Sequence, residues 1–387
     1  MLAAGATFPQ SPGASSGDGA VHPDAQMQAA ARVPHTWSSC PGEAFQVRQG
    51  PNYASTGKKG TSGPAIYEVI AADTYQSEQK LPHLARVTQL PEAAPSTSEL
   101  PPLLIINWMI PNYPPGGLMA SKRSDGPGWN LVIYCRLSAW VREALEQGGP
   151  QTPGVDLFRR FIHPTEGVAL RKERLKMIMG LTDVDEPGFN VMTKALVRNY
   201  NCKPFLSKTA SSFYLVPGVR VALPGAPRCV ACPFPLHLSS APHPPPLNLS
   251  RRGARARSAQ LPSPNSHDRG TALVHVARIP PYKTDRPTRH RHLAQKYLEI
   301  DVDIHTWGSA ALNGFNTVKS RMSAMLGRAG VVIQAEGDEE MPEQMLCGNY
   351  LTYLDPLKAV VFDPALSHYL SDERNFVPPL PGSLGRD

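Results

Sequence analysis

The chain has no apolar run near the roughly 18 residues that a membrane-crossing helix needs; its densest runs, at 103–106 and 131–135, are strand-sized. A soluble or peripheral protein is therefore expected. It also lacks a disulfide framework, since six cysteines (Cys40, Cys135, Cys202, Cys229, Cys232 and Cys347) are scattered over 387 residues, which suits a reducing, intracellular compartment, cytoplasmic or peripheral to a membrane. The first twenty residues have neither a basic n-region nor a sustained apolar stretch, so no secretory signal is read there. The contexts of G-x-S-x-G, H-E-x-x-H and G-x-G-x-x-G are missing, leaving hydrolase, zincin and dinucleotide-binding readings without support. No catalytic residue and no cofactor is expected. Gly57-Lys-Lys-Gly60 lacks the spacing of a phosphate loop and reads as a basic turn.

Acidic residues are scarce in one place only. Residues 219–295 hold 12 Lys/Arg and 2 Asp/Glu, while the rest of the chain holds 27 and 30. The net charge of +7 thus resides in one segment, and it does not argue for a nucleic-acid partner. The same segment carries 13 of the 41 prolines and 6 of the 12 histidines without periodicity, and reads as a disordered Pro/Arg-rich insertion. Cys229 and Cys232, with His237 and His243 downstream, have the spacing of half a zinc site but no second ligand pair at a defined distance. Residues 1–36, rich in Ala, Gly, Ser and Pro, and residues 366–387 read as tails.

The strongest local pattern is YLEIDVDIHTW at 297–307. Leu298, Ile300, Val302 and Ile304 fall on one face of a strand, and Tyr297, Glu299, Asp301, Asp303 and His305 on the other, as expected of a strand packed on one side and open on the other. Further strands are predicted at 45–48, 65–71, 103–109, 129–137, 189–198, 331–335 and 350–354, and helical patterns at 156–162, 168–179 and 309–326, with a helical turn at 342–346. Mostly strands with helices in blocks, the chain predicts an α+β class: a single domain (37–218 and 296–365) around a mainly antiparallel, curved sheet with helices, interrupted by the long insertion.

Two groups of residues suggest chemistry. Asp301, Asp303 and His305 have the ligand types of a metal site, but alternate strand residues lie roughly 6.6 Å apart, and a solvated acidic face is the competing reading. Arg171, Lys172, Arg174 and Lys176 fall on one side of the 168–179 pattern, with Lys194, Arg198, Lys203 and Lys208 following. Together they make a candidate surface for lipid headgroups or an anionic membrane, with an ordinary solvated basic face as the alternative.

GPNYASTGKKGTSGPAIYEVIAADTYQS, LPPLLIINWMIPNYPP, GWNLVIYCRLS, YLEIDVDIHTW and VVIQAEGDEEMPEQMLCGNYLTYLD, in this order, resemble the C-terminal domain of the plant Enhanced Disease Resistance 2 proteins, a domain of unknown function. The resemblance covers about 37–218 and 296–360. It implies a regulatory module; in plant members the domain often follows pleckstrin-homology and lipid-transfer domains, and phosphoinositide contact is attributed to the former. It implies no catalytic residue. Relatives pass almost directly from the stretch matching LSKTASSFYLVPG into the YLEIDVDIH strand. Joining Gly218 to Lys296 restores that pattern as FYLVPGKYLEIDVDI, so the intervening segment reads either as a loop insertion, tolerated because closure entropy grows slowly with length, or as translated intron. The expected function is a non-catalytic, lipid- or membrane-associated regulatory module. A protein-interaction module without lipid ligand, and an enzyme using the acidic strand face, are the alternatives, and the oligomeric state is open.

Overall fold

The computed structural model describes residues 2–11, 33–92, 99–114, 124–148, 151–181, 189, 191–206, 211–217, 295–366 and 380–381. In chain order the strands are β1 (Leu2–Ala3), β2 (Thr36–Ser39), β3 (Gln46–Arg48), β4 (Lys59–Thr61), β5 (Tyr67–Ser77), β6 (Thr88–Gln89), β7 (Leu103–Pro111), β8 (Gly128–Leu137), β9 (Leu175–Leu181), β10 (Pro204–Leu206), β11 (Ser211–Pro217), β12 (Gln295–Asp303), β13 (Leu326–Ile333), β14 (Met345–Thr352) and β15 (Val360–Val361). The helices longer than one turn are α1 (Ala139–Glu146), α2 (Pro153–Ile162), α3 (Gly167–Glu173), α4 (Val191–Tyr200) and α5 (Ser309–Lys319). Among the described residues no helix is long and apolar enough to cross a membrane.

The α+β expectation holds, but the strands form two principal sheets rather than one. The six-stranded sheet has the order β11-β12-β7-β8-β5-β15 and the five-stranded sheet β10-β9-β13-β14-β2. Both are mainly antiparallel; β12–β7 and β15–β5 are parallel pairs in the larger sheet. The LLIINWM run explains its own place, since a strand with apolar residues on both faces belongs inside a covered sheet, and every residue of β7 is buried.

Three apolar clusters cover the sheets. Leu298, Ile300, Val302 and Ile304 meet Phe158 and Phe161 of α2 and Met177, Val331 and Ile333 of the second sheet in the main core. On the far face of the larger sheet, Leu103, Ile105, Val132 and Tyr134 pack against Leu81, Leu84 and Val87. Outside the smaller sheet, Phe45 and Val47 lie on Val332, Met345 and Tyr350. A Cβ at Gly348 would come within 2.7 Å of the Phe45 ring and 2.8 Å of the Cys40 carbonyl, so only glycine lets that ring lie flat on the strand.

Several local expectations change. The 168–179 pattern is not one helix: α3 ends at Glu173, and residues 175–181 pair as β9 with both β10 and β13. The predicted strand at 189–198 is helix α4, and the 309–326 pattern is α-helical to Lys319 and continues as a 3-10 turn at Met322–Ala324 before β13 begins. In these short segments both periods fit the apolar residues, and the tertiary partners decide. No helical turn forms at 342–346, where a cis Met341–Pro342 bond leads into β14.

The tail expectation fails for residues 2–11. Asp73 accepts bonds from the amides of Gly5 and Thr7 and from the Thr7 hydroxyl, and Phe8 is fully buried with its carbonyl on the Trp37 indole N–H at 3.0 Å. At the other end Leu380 donates to the Phe213 carbonyl, so 380–381 also pack on the domain. Residues 218–294, which hold nearly all the predicted insertion, and with them Cys229, Cys232, His237 and His243, lie outside the described residues. Gln295 itself opens β12, opposite Pro217 at the end of β11.

Candidate functional site

The polar face of β12 is not open. A strap of residues 80–87 crosses it, and Glu299, Asp301 and His305 are at most 2% exposed. The strap satisfies the carboxylates mainly with backbone. Asp301 Oδ2 accepts the His83 amide at 2.9 Å and Glu299 Oε2 the Ala85 amide at 3.2 Å, while Lys80 Nζ reaches Asp303 Oδ2 at 2.7 Å. Asn107 on β7 and Asn130 on β8 continue the polar stripe sideways: Asn107 donates to Asp301 Oδ1 (2.9 Å), Asn130 to Asn107 Oδ1 (2.7 Å), and both to the Leu81 carbonyl. His83, in a left-handed conformation, stacks on Tyr214 at 4.1 Å and pairs with the Tyr297 hydroxyl at 3.0 Å. Leu81, Leu84 and Val87 anchor the strap; at about 1.5–3 kcal/mol per buried aliphatic side chain, these three alone give roughly 5 kcal/mol or more for keeping it shut.

Burial decides the protonation of this stripe. The Glu299 carboxyl is pushed well above its usual range by desolvation and then by the charge of Asp301, with which it shares a hydrogen bond. Burial raises Asp301 to about 7, although the Asn107 and His83 bonds pull it back. Burial, with Arg86, drives His83 down to about 3. At neutral pH Glu299 is therefore a neutral acid, His83 a neutral ring, and Asp301 and Glu299 hold a proton between them.

The three metal candidates are not brought to one point. Asp301 turns to His83 and Asn107, Asp303 to Lys80, and His305, in the 3-10 turn Ile304–Thr306, accepts or donates at Nδ1 with the Tyr113 hydroxyl at 2.9 Å. Among the described residues no group of three or more His, Cys, Asp or Glu is placed to hold a metal ion.

The basic residues divide into two sets. Arg171 is 1% exposed, its guanidinium spent on the carbonyls of Phe161, His163 (2.9 Å), Pro164 (3.0 Å) and Pro381 (2.8 Å), and burial lowers it to about 10. A Cβ at Gly167 would overlap both that guanidinium and the Phe161 carbonyl. Arg174 pairs with Glu336 (2.7 Å) and Glu340 (2.8 Å), and Lys176 with Glu343 (2.9 Å), both ends of the latter pair being 3% exposed. As a membrane face these three are a correction: they point into the protein because the segment splits between α3 and β9, and only Lys172 of the four is exposed. The counter-charges of Arg174 and Lys176 sit in the QAEGDEEMPEQ stretch, an acidic cluster visible in the sequence although its pairing is not.

In the second set, Lys194 is half-buried, and Arg198 and Lys203 are exposed. They share α4 and the turn after it with Val191, which is 86% exposed. Lys208 lies outside the described residues. Helix α5 lies over a shallow groove lined by Pro111, Tyr113, Leu312, Phe315, Asn316 and Lys319, with a cavity volume of about 10 Å³. That is far below the roughly 300–1,000 Å³ of small-molecule sites.

The family model described as "Protein ENHANCED DISEASE RESISTANCE 2, C-terminal" matches residues 37–219 and 280–355. No curated protein and no solved structure matches the chain.

Proposed function

The chain belongs to the Enhanced Disease Resistance 2 C-terminal family, and from that footing we propose that it is a non-catalytic module that docks on an anionic membrane surface through α4 and the turn that follows. The observation that carries this reading is local charge with local apolarity. From 189 to 217 the sequence has four basic residues, Lys194, Arg198, Lys203 and Lys208, and no acidic one, and the exposed Val191 stands at the head of the same helix. Basic residues near an anionic surface contribute about 1 kcal/mol each and are screened by salt. An enzymatic use of Asp301 and His305 has no support in this arrangement, because the two are 1 and 2% exposed and turn to different partners, His83 and Asn107 for the one and Tyr113 for the other.

Lys194→Gln, Arg198→Gln and Lys203→Gln together should weaken co-sedimentation with phosphatidylserine vesicles by roughly a hundredfold, the equivalent of about 3 kcal/mol, and the remaining binding should lose its salt dependence. Binding that is unchanged in this variant would remove the surface from the account. A protein-interaction reading has its own observation: Val360 and Val361, which form the edge strand β15, are 43 and 64% exposed and Leu357 just before it 90%, and apolar edges of this kind recruit protein partners.

A further inference from the structure

Residues 2–11 lie against the domain as an extended peptide lies in a groove. They bridge the margins of the two principal sheets. Phe8 pairs with Ala72 on β5, whose outer edge β15 covers further on at Tyr75 and Gln76, and Gln10 pairs with Trp37 of β2, the last strand of the smaller sheet. Gly5 has φ +80°, and a Cβ there would come within 3.1 Å of the Ala71 side chain, so the position favours glycine. Asp73, itself buried, accepts the Gly5 amide on one oxygen and the Thr7 amide on the other, each at 2.8 Å. The Thr7 hydroxyl donates to Asp73 Oδ1 at 2.9 Å and accepts the Thr74 amide at 2.8 Å, so the groove reads it as donor and as acceptor. Phe8 is fully buried, with the His35 ring 4.8 Å away. Trp37 holds the backbone beyond it, its indole N–H on the Phe8 carbonyl and its amide on the Pro9 carbonyl at 3.1 Å. Pro9 brings no N–H that would need a partner.

Two observations set this segment apart from the body that holds it. Trp37, Ala72, Asp73 and Thr74 lie within the residues matched to the family and the segment lies outside them, so the groove belongs to the domain and its occupant is an addition. His35 accepts the Asp355 amide at Nδ1 (3.1 Å), while its Nε2 is buried with no hydrogen-bond partner among the described residues, a polar group that this occupant leaves unused. We infer that the groove is a recognition site for an extended segment of another protein with the pattern Gly-x-Ser/Thr-Phe-Pro, and that residues 2–11 fill it as a built-in competitor. Main-chain bonds along a sheet margin give such a site its affinity, and pockets for alternate side chains give it selectivity. The 21 residues 12–32 join the segment to the body, so it competes as an intramolecular ligand, at an effective concentration on the order of millimolar. A partner gains the groove only by displacing it.

The test uses the full chain and, as probe, a fluorescein-labelled peptide carrying the sequence of residues 1–11, read by fluorescence anisotropy. Phe8→Ala removes the anchor of the built-in segment and leaves the groove itself unchanged, so this variant should bind the peptide about a hundredfold more tightly than the parent does. The same peptide with Thr7→Val should bind the variant at least about tenfold more weakly, because Asp73 and the Thr74 amide lose their partner. Hydrogen exchange on the parent gives a readout independent of any substitution: the Gly5 and Thr7 amides should exchange by local release, faster than those of β8, which open only with the domain. An unfolded Phe8→Ala chain, equal peptide affinities in parent and variant, a peptide indifferent to Thr7→Val, or Gly5 and Thr7 amides as protected as those of β8 would overturn the inference. A parent chain that is dimeric at the assay concentration would give the groove to a second copy and overturn its assignment to another protein.

Discussion

Two charged stripes run through this domain, and they solve burial in opposite ways. On the smaller sheet Arg174 and Lys176 meet Glu336, Glu340 and Glu343 in direct ion pairs of 2.7–2.9 Å. On β12 three carboxylates follow one another with one short ion pair, Lys80 to Asp303, and the rest of the charge is removed by protonation and backbone amides. Opposite charges compensate the first stripe; a proton and a strap compensate the second. The pH responses should therefore differ in sign. Glu340 is held below its usual value, its amide bond from Glu336 and the charges of Arg160 and Arg174 outweighing the opposing effect of burial. Its contribution is present above the unfolded value near 4.5 and is lost as pH falls through the folded one. Glu299 and Asp301 are raised, so their contribution is greatest in acid and declines as pH climbs from about 4 through 7 and beyond.

Cutting one member from each stripe should separate them most clearly. Lys176→Met leaves Glu343 charged and enclosed, and is expected to cost about 3–5 kcal/mol in chemical denaturation. A loss below 1 kcal/mol would show that Arg48, 3.7 Å from Glu343, suffices as counter-ion. Asp303→Asn should cost less, about 1–3 kcal/mol, by depriving the buried Lys80 of its partner without unfolding the domain; an unfolded variant would make Asp303 a fold determinant. Smaller again, Arg174→Gln should shift the acid-side melting curve toward higher pH by removing a charge that holds Glu340 ionised, and an unshifted curve would assign that role to Arg160 alone. The least effect is expected where the acidic stripe begins. Val216 faces Tyr297 and Pro217 faces Gln295, so joining Gly218 to Lys296 leaves a three-residue hairpin turn containing glycine. That variant should melt cooperatively within about 1 kcal/mol of the full chain; an unfolded product would show that the removed segment is needed.

How much of this was legible in the sequence depends on what each pattern encodes. The doubly apolar β7 and the alternation of β12 identified strands because their periods are intrinsic to extended chain. The cover over β12 was not legible, since a polar face looks the same whether water or the amides of a strap satisfy it. The strap's own signal, Leu81, Leu84 and Val87 at intervals of three, is too short to be distinguished from a loop. Arg171 and Lys176 were placed on a surface because seven-residue segments fit helix and strand alike, and only pairing with β10 and β13 shows β9 to be extended. The acids at 336–343 that neutralise Arg174 and Lys176 were visible as a family mark, but their role as counter-charges needed three dimensions. Arg198 and Lys203 are exposed and Lys194 half-buried, on or just after a helix where a strand was predicted.

The sealed, proton-holding character of the β12 stripe is tested most directly by the pH dependence of melting in Glu299→Gln. Glutamine copies the neutral acid, accepting from Ala85 and donating toward Asp301, so the variant should match the parent near pH 6. By pH 9 it should melt several degrees higher than the parent, whose midpoint falls as the shared proton is lost. Parallel curves across this range, or a variant that loses stability at pH 6, would contradict a shared proton on Glu299 and Asp301.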